Sequence, residues 1–416
     1  MGDPTAAWAS MGRTEVLRSG GWVARPLTDG RELPLARVRA GPGERTPVLA
    51  IPGGPGLASV LPYRGLRRAA ARRGLDVIMM EHRGVGFSRR DSAGTDLTVD
   101  DVTSTAAADD LAAVLDAAGV QQAVVYGTSY GSYLAQLFGI RHPDRVAAMV
   151  LDAPGLDAGD MAEVRAHLRA LFWDGLHPAT ARCAALVREL AAAGEEPLDL
   201  SCVVQHVYEF AGTEPLERLL EARLRGRAGR SWARIARLGR AEVESPTGQP
   251  LVFEPDLVRP IGQGELGFDT PPDGHVLDPQ RLFALAPASQ PRTPPYDIAA
   301  ELERFTWPVA VVSGDRDLRS PRPVAERVVA LLPDAVLVPL VGHGHSALDT
   351  HRLAALNVAH VVEAGAHRAL PALAARLSAL PRRGASALLG PLLRAGIAVD
   401  TRLPAGSHPR AADHTP

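Results

Sequence analysis

The sequence of 416 residues predicts an α/β protein with a mostly parallel, doubly wound sheet and an inserted helical domain. Short continuous apolar runs occur at 48–51, 77–80, 124–126 and 148–151, as is typical of strands that are covered on both faces. Apolar residues at helical spacing lie between these runs, for example over 109–118. Strands that alternate with helices indicate crossover connections between parallel strands.

The same patterns divide the chain into segments. Alternating runs over 20–40 predict an antiparallel hairpin ahead of the parallel strands. The alternation stops after Asp152 and resumes with strands at 309–312 and 336–338, on either side of a helix predicted over 322–332. We therefore predict a first part of the core, a helical cap insertion, a second part of the core and a C-terminal helical extension with a flexible tail, at residues 1–154, 155–300, 301–366 and 367–416. The very end of the tail, 407–416, is expected to be disordered.

Composition excludes several classes of function. A formal net charge of -2 gives no electrostatic reason to expect nucleic acid or an anionic membrane surface as a partner. All 45 basic residues are arginine. Without lysine, neither a Walker-type phosphate loop nor a Schiff-base mechanism is available. We expect no cofactor and no metal, and a small peptide or small-molecule acyl compound as the binding partner.

Cysteine content and hydropathy indicate a cytoplasmic protein. Cys183 and Cys202 are too few for a disulfide framework and lack metal-ligand spacing; buried or reduced thiols are expected, with a single bridge left open. The first residues contain no apolar region of the kind found in secretion signals. No stretch approaches the ~20 apolar residues that a membrane-spanning helix needs.

The strongest chemical signal is the run Gly-Thr-Ser-Tyr-Gly at 127–131. It follows the strand that ends at Tyr126 and precedes a helix predicted over 132–141, which is the strand–turn–helix context of a G-x-S-x-G nucleophile turn. In such a turn the serine oxygen stands clear of the sheet edge, and glycines let the neighbouring backbone pass. Ser129 is therefore the candidate nucleophile, and the N–H of Tyr130 is a candidate donor to an oxyanion.

A second glycine-rich loop, Pro-Gly-Gly-Pro-Gly at 52–56, also follows a strand. Adjacent glycines let backbone N–H groups approach a tetrahedral oxygen closely, so Gly53 and Gly54 are candidates for the remaining oxyanion donors. A Rossmann phosphate loop is disfavoured because the spacing is not G-x-G-x-x-G and Pro55 lacks an N–H group.

Two aspartates and two histidines compete for the other catalytic positions. Asp315 and Asp317 follow the strand at 309–312, and a proline four residues after Asp317 favours it as the acid that orients the base. His343 and His345 follow the next strand, and the Gly-His-Ser context favours His345 as the general base. A metal site at the two histidines lacks a third ligand at suitable spacing. The order serine, acid, histidine along the chain suits a Ser-His-Asp hydrolase.

These motifs resemble the proline iminopeptidase family and its tripeptidyl-aminopeptidase-like relatives within the α/β-hydrolases. The loop at 52–56 is similar to the family's His-Gly-Gly-Pro-Gly, with Pro52 in place of the histidine. Residues 81–88 resemble its D-x-R-G-x-G-x-S segment, with Glu81 in place of the aspartate. Residues 344–347 match its Gly-His-Ser-Ala. The resemblance covers the two core segments and fades in the insertion.

The resemblance implies an α/β-hydrolase fold and cleavage of N-terminal proline or of short N-terminal peptides through an acyl-enzyme on Ser129. An aminopeptidase needs a carboxylate that pairs with the α-ammonium group of the substrate, and Glu209 and Glu265 are the candidates within the predicted cap. An esterase or amidase for a small or secondary metabolite is the alternative. A non-catalytic ligand-binding homologue is a second alternative, which the complete set of candidate residues disfavours.

Overall fold

The computed structural model describes residues 4–245 and 247–402, and the predicted disordered end at 407–416 lies outside these ranges. Within these ranges, eight strands form one sheet. In chain order they are β1 Gly20–Pro26, β2 Glu32–Ala40, β3 Val48–Ile51, β4 Val77–Met80, β5 Ala123–Thr128, β6 Val146–Asp152, β7 Val309–Gly314 and β8 Ala335–Leu340. They are arranged as β1-β2-β4-β3-β5-β6-β7-β8. β1 and β2 form an antiparallel hairpin, β2 is antiparallel to β4, and the remaining pairs are parallel. The predicted α/β class with a mostly parallel sheet is confirmed.

The chain forms two compact units. The first contains the sheet and comprises the described residues up to Val164, Ser245–Pro271 and Ala286–Ser386. Its helices are α1 Pro4–Ser19, α2 Arg64–Ala71, α3 Ser104–Ala117, α4 Tyr130–Arg141, the start of α5 Asp160–Phe172, α10 Arg259–Glu265, α12 Ile298–Glu301, α13 Arg322–Leu331, α14 Ala347–Thr350, α15 Arg352–Glu363 and α16 Leu370–Ser378.

The second unit is helical and comprises Arg165–Glu244, Pro272–Leu285 and the described residues from Ala387 onward. Besides most of α5, its helices are α6 Ala181–Ala192, α7 Pro197–Ala211, α8 Thr213–Leu224, α9 Gly229–Glu244, α11 Gln280–Phe283 and α17 Leu389–Asp400. Its two cysteines, Cys183 and Cys202, are buried thiols. None of the helices in the described ranges is long and apolar enough to cross a membrane.

Two features of this arrangement were not anticipated by the sequence patterns. The first is α1, which was not predicted because its stretch of sequence shows no clear apolar periodicity. Large apolar side chains of this helix, Trp8 and Leu17 among them, are exposed. The division into units also differs from a continuous insertion over 155–300. The sheet groups with Ser245–Pro271 and Ala286–Ser386. In the helical unit, α17 of the C-terminal extension packs among α7, α8 and α9. The Arg394 guanidinium donates to the Ala211 carbonyl within that helical unit, at 3.1 Å.

Both faces of the sheet are covered, which explains the continuous apolar runs. Val125 and Met149 belong to the buried cluster that includes residues of α3, α4 and α13. Their neighbours Val124 and Ala148 belong to the cluster on the opposite face, with residues of α2, α15 and α16. Because β5 to β8 are parallel and adjacent, the segments that follow them emerge at the same edge of the sheet.

A buried ion pair fixes the segment that follows β4. The Arg83 guanidinium donates twice to the Asp110 carboxylate of α3, with both N···O distances at 2.7 Å, and once to the Asp101 carbonyl at 2.8 Å. The Asp110 carboxylate is fully buried and also accepts from the half-buried Arg25 at 2.8 Å. Removing a partner from a buried pair leaves an uncompensated charge, which costs more than the pair itself contributes.

Asp110→Ala should therefore lower the free energy of unfolding by about 3–5 kcal/mol, because Arg83 stays buried without its counter-ion. Arg25→Ala removes the more exposed partner of the same carboxylate and should cost about 1 kcal/mol or less. Urea denaturation of the two variants and the wild type measures both effects. Equal losses for the two variants would contradict this assignment.

Candidate active site

Ser129 sits on a strained turn between β5 and α4. Its backbone adopts φ 52° and ψ -125°, a region that residues with a side chain rarely enter. The flanking glycines are required by space: a Cβ on Gly127 would lie 2.1 Å from the Gly131 oxygen, and a Cβ on Gly131 would lie 2.3 Å from the Ile51 oxygen. The Ser129 N–H donates to the Asp152 carbonyl at 2.9 Å, which ties the turn to β6.

The structure brings together the three residues predicted to form a triad. His345 Nε2 lies 2.8 Å from the Ser129 Oγ, and its Nδ1 lies 3.0 Å from each carboxylate oxygen of Asp317. Asp317 is fully buried, whereas 17% of the His345 side chain is exposed. A carboxylate at Nδ1 fixes the tautomer in which Nε2 is free to accept the serine proton.

Asp317 is itself oriented by its own loop. Its Oδ1 accepts the backbone N–H groups of Arg319 and Ser320, both at 2.9 Å. Charge-assisted hydrogen bonds of this kind hold a carboxylate in one rotamer. The acid therefore reaches the imidazole from a fixed position at the end of β7.

Asp315 and His343, the alternatives to Asp317 and His345, form hydrogen bonds within the loop that carries His345. The Asp315 carboxylate accepts the N–H groups of Gly342 at 2.7 Å and of His343 at 3.2 Å. The His343 ring donates to the Val341 carbonyl at 2.8 Å and stacks on His351, with ring centroids 4.4 Å apart. Burial lowers the pKa of His343 to about 3, so this ring is neutral. Asp315 and His343 thus lie beside the triad and not within it.

Gly53, Gly54 and Tyr130, the residues predicted to donate to an oxyanion, lie at different positions relative to Ser129. A Cβ on Gly53 would lie 3.1 Å from the Ser129 Cβ and 3.7 Å from its Oγ, so the Gly53 backbone lies directly against the nucleophile. Gly54 adopts φ 121°, and the atoms closest to its Cβ position belong to Gly56 and Leu57. Tyr130 is the first residue of α4, where backbone N–H groups have no partner within the helix.

His82 lies beside Tyr130, although the sequence did not single it out as a candidate site residue. Its Nδ1 lies 2.6 Å from the Arg83 carbonyl and donates to it, so Nε2 accepts the Tyr130 hydroxyl at 2.9 Å. Burial lowers the pKa of His82 to about 4, which keeps the ring neutral. His82 and Tyr130 line a cavity of about 10 Å³ together with Pro52 and Gly53. The signal available in the sequence was a histidine two residues after the end of a buried strand.

The two candidate carboxylates lie in different units. Glu209 is buried on α7 of the helical unit. Glu265 ends α10 in the first unit, and its carboxyl accepts the Tyr133 hydroxyl at 2.7 Å. Burial raises the pKa of Glu265, and a hydrogen bond from Ser104 partly opposes that shift. Glu265 also lines an open cleft of about 890 Å³, along with Arg259 and Arg292.

Comparison with known proteins gives the following similarities. The sequence is 29% identical over 320 residues to rhodomycin D methylesterase DauP of Streptomyces sp. (strain C5), covering 76% of this chain and 90% of that protein. It is 27% identical over 321 residues to rhodomycin D methylesterase DnrP of Streptomyces peucetius, with the same two shares. The solved proline iminopeptidase of Mycobacterium smegmatis is 18% identical, covers 83% of this chain and 98% of its own, and has a TM-score of 0.46.

The sequence model of the alpha/beta hydrolase fold matches residues 46–352. That range begins just before β3 and ends just after the His345 loop, so it includes the serine turn, both aspartates and the histidine. It covers well over half of the chain. The protein belongs to the alpha/beta hydrolase fold family.

Proposed function

We propose that the protein is a serine esterase that hydrolyses a methyl or other short-alkyl ester of a small or secondary metabolite. The hydrogen-bonded series Ser129–His345–Asp317 is the observation that carries the proposal. Its distances are those at which a nucleophile passes its proton to a base. The two methylesterases that the chain resembles over most of their length support an ester as the substrate class.

The reaction follows from this geometry. His345 Nε2 takes the Ser129 proton while Oγ attacks the ester carbon, and the carbonyl oxygen becomes an oxyanion. The C–O bond to the alcohol then breaks, and the alcohol leaves with the proton from His345. Water attacks the acyl-enzyme and passes a proton to His345; the bond between the acyl carbon and Oγ then breaks, His345 returns the proton to Ser129 Oγ, and the carboxylic acid is released. Asp317 stabilises the imidazolium in both halves of the reaction.

The oxyanion is stabilised by backbone N–H groups of the 52–56 loop and of Tyr130. Gly53 lies against Ser129, and Tyr130 is the first residue of α4, where a backbone N–H has no partner within the helix. Such donors act on the charge that develops in the transition state, so their contribution appears in kcat. His82 holds the Tyr130 side chain and limits its movement.

An aminopeptidase is the second candidate, and Glu265 is the observation that favours it. Its side chain lines an open cleft, so a substrate ammonium group has a carboxyl to approach. Two facts weigh against this pairing. The carboxyl already accepts the Tyr133 hydroxyl, and its raised pKa favours the neutral form, which does not attract a cation.

Ser129→Ala should lower kcat/KM for ester hydrolysis by about 10⁴- to 10⁶-fold, because the nucleophile is lost. Alanine keeps the Cβ and the same backbone strain, so the melting temperature should stay close to that of the wild type. Steady-state kinetics and thermal unfolding give both values. Full activity of this variant would rule out the acyl-enzyme mechanism.

Paired substrates separate the two candidate functions. The wild type should hydrolyse methyl and p-nitrophenyl esters of small acids, with no requirement for a free amine. Proline and alanine p-nitroanilides, with free and blocked amines, should be turned over at least about 100-fold more slowly in kcat/KM. Turnover confined to free-amine substrates would contradict the esterase proposal and favour the aminopeptidase.

Two matched variants sharpen the comparison. Glu265→Gln keeps an acceptor for the Tyr133 hydroxyl, and Glu209→Gln makes the same change in the helical unit. An esterase has no ammonium group to bind, so neither change should alter the preference between free-amine and blocked substrates. A loss of about 100-fold for free amines alone in either variant would identify an ammonium-binding carboxylate and support the second candidate.

A further inference from the structure

Asp152, the last residue of β6, is hydrogen bonded to both the serine turn and the loop that carries His345. Its carbonyl accepts the Ser129 N–H at 2.9 Å. Its carboxylate accepts the backbone N–H groups of Ala347 at 3.0 Å and of Leu348 at 2.8 Å, which follow His345 by two and three residues. One buried residue therefore connects the serine turn with the histidine loop.

A second set of hydrogen bonds reinforces this connection. The Thr128 hydroxyl, next to the nucleophile, donates to the Ser346 hydroxyl at 2.8 Å, and Ser346 donates to the Asp349 carboxylate at 2.7 Å. Ser346 adopts φ 59°, so the backbone directly after His345 is held in a conformation that side chains disfavour. Strain of this kind persists only where the surroundings fix it.

We propose that Asp152 is a positioning residue whose ionised carboxylate holds the His345 loop in register with Ser129. The inference rests on the proposed serine hydrolase function and adds to it a residue that does not touch the substrate. An ionised carboxylate accepts from Ala347, Leu348 and the Tyr126 hydroxyl together, the last at 3.1 Å. A protonated carboxyl carries a proton that competes with these N–H and O–H donors, and it is a weaker acceptor than a carboxylate, so the bonds from Ala347 and Leu348 weaken.

The charge state of Asp152 changes in an accessible pH range. Burial, with a contribution from the nearby Asp349 carboxyl, raises the pKa of Asp152 to about 6. The folded protein therefore binds this proton more tightly than the unfolded chain, and ionisation of Asp152 lowers stability as pH rises from about 4 through 6.

The titratable groups that the described residues bring near Asp152 include two tyrosines and one aspartate. Tyr126 faces it from β5 and Asp349 from α14, and Tyr63, just before α2, donates its hydroxyl to Asp349. Burial raises the pKa of both tyrosines well above the usual range, so they act as neutral hydroxyl donors at every pH of interest.

The test compares Asp152→Asn with the wild type between pH 5 and 9. The first readout is the rate at which a fluorophosphonate phosphonylates Ser129. This reaction requires an aligned His345 but no knowledge of the natural substrate. The second readout is kcat for a p-nitrophenyl ester. At pH 8 the variant should be about 10- to 100-fold slower in both. At pH 5 the gap should narrow to about 2- to 10-fold, because a carboxyl with a pKa of about 6 is then about nine-tenths protonated in the wild type.

Asp160→Asn is the matched control. Asp160 is also buried, burial also raises its pKa to about 6, and its carboxylate accepts the Leu156 N–H at 2.6 Å and pairs with Arg327 at 3.2 Å. This variant should leave the rate ratio to the wild type independent of pH. Tyr126→Phe is the second test, since it removes one donor to the ionised carboxylate and should move the acid inflection to higher pH.

A wild-type to Asp152→Asn ratio that does not vary with pH would overturn the inference, as would the same pH dependence in Asp160→Asn. If Asp152→Asn does not fold, the Tyr126→Phe profile decides: an inflection that moves up supports the inference, and one that stays in place overturns it. Failure of wild-type Ser129 to react with the fluorophosphonate would instead contradict the proposed function.

Discussion

The backbone at Ser129 is held at a positive φ because β5, α4 and the 52–56 loop meet where no Cβ fits at Gly127 or Gly131. A residue in this conformation costs about 1–3 kcal/mol, which the packing around it must offset. The consequence is functional. In a turn of this kind the serine oxygen stands clear of the sheet edge, and the first N–H groups of the following helix, here α4, have no partner within the helix. Every other group of the site is placed with respect to this turn.

The sheet supplies the remaining groups in strand order. β5, β6, β7 and β8 are successive neighbours, and the residues at or after their carboxyl ends are Ser129, Asp152, Asp317 and His345. The strand between nucleophile and acid thus carries Asp152, which hydrogen bonds to the serine turn on one side and to the histidine loop on the other. Parallel pairing fixes the spacing of these segments, and hydrogen bonds within the loops fix their orientation.

Much of this could be predicted from the sequence because it is encoded locally. The apolar runs predicted the parallel strands, since both faces of the sheet are buried, and the G-x-S-x-G run predicted a turn whose glycines are required by space. The spacing around Asp317 and His345 favoured the pair that lies beside Ser129. Their catalytic roles stay predictions until they are measured.

The rest depends on contacts between distant segments. Nothing near Asp152 in the sequence indicates that its carboxylate accepts N–H groups some 195 residues away. The pairing of His82 with Tyr130 across 48 residues is equally invisible to a motif. Helix α1 was missed because its apolar residues do not gather on one face. The division into units was missed because segments from inside and outside the predicted insertion pack together.

The central claim is that an ester passes its acyl group to Ser129, and trapping that intermediate tests it most directly. The wild type would be mixed with a p-nitrophenyl ester of a bulky acid that deacylates slowly, quenched in acid within the first turnover and analysed by intact-mass and peptide mass spectrometry. We predict one added acyl group, on the peptide that contains Ser129. Rapid release of p-nitrophenol with the acyl group on another residue, or with no acyl-enzyme at any quench time, would contradict the claim.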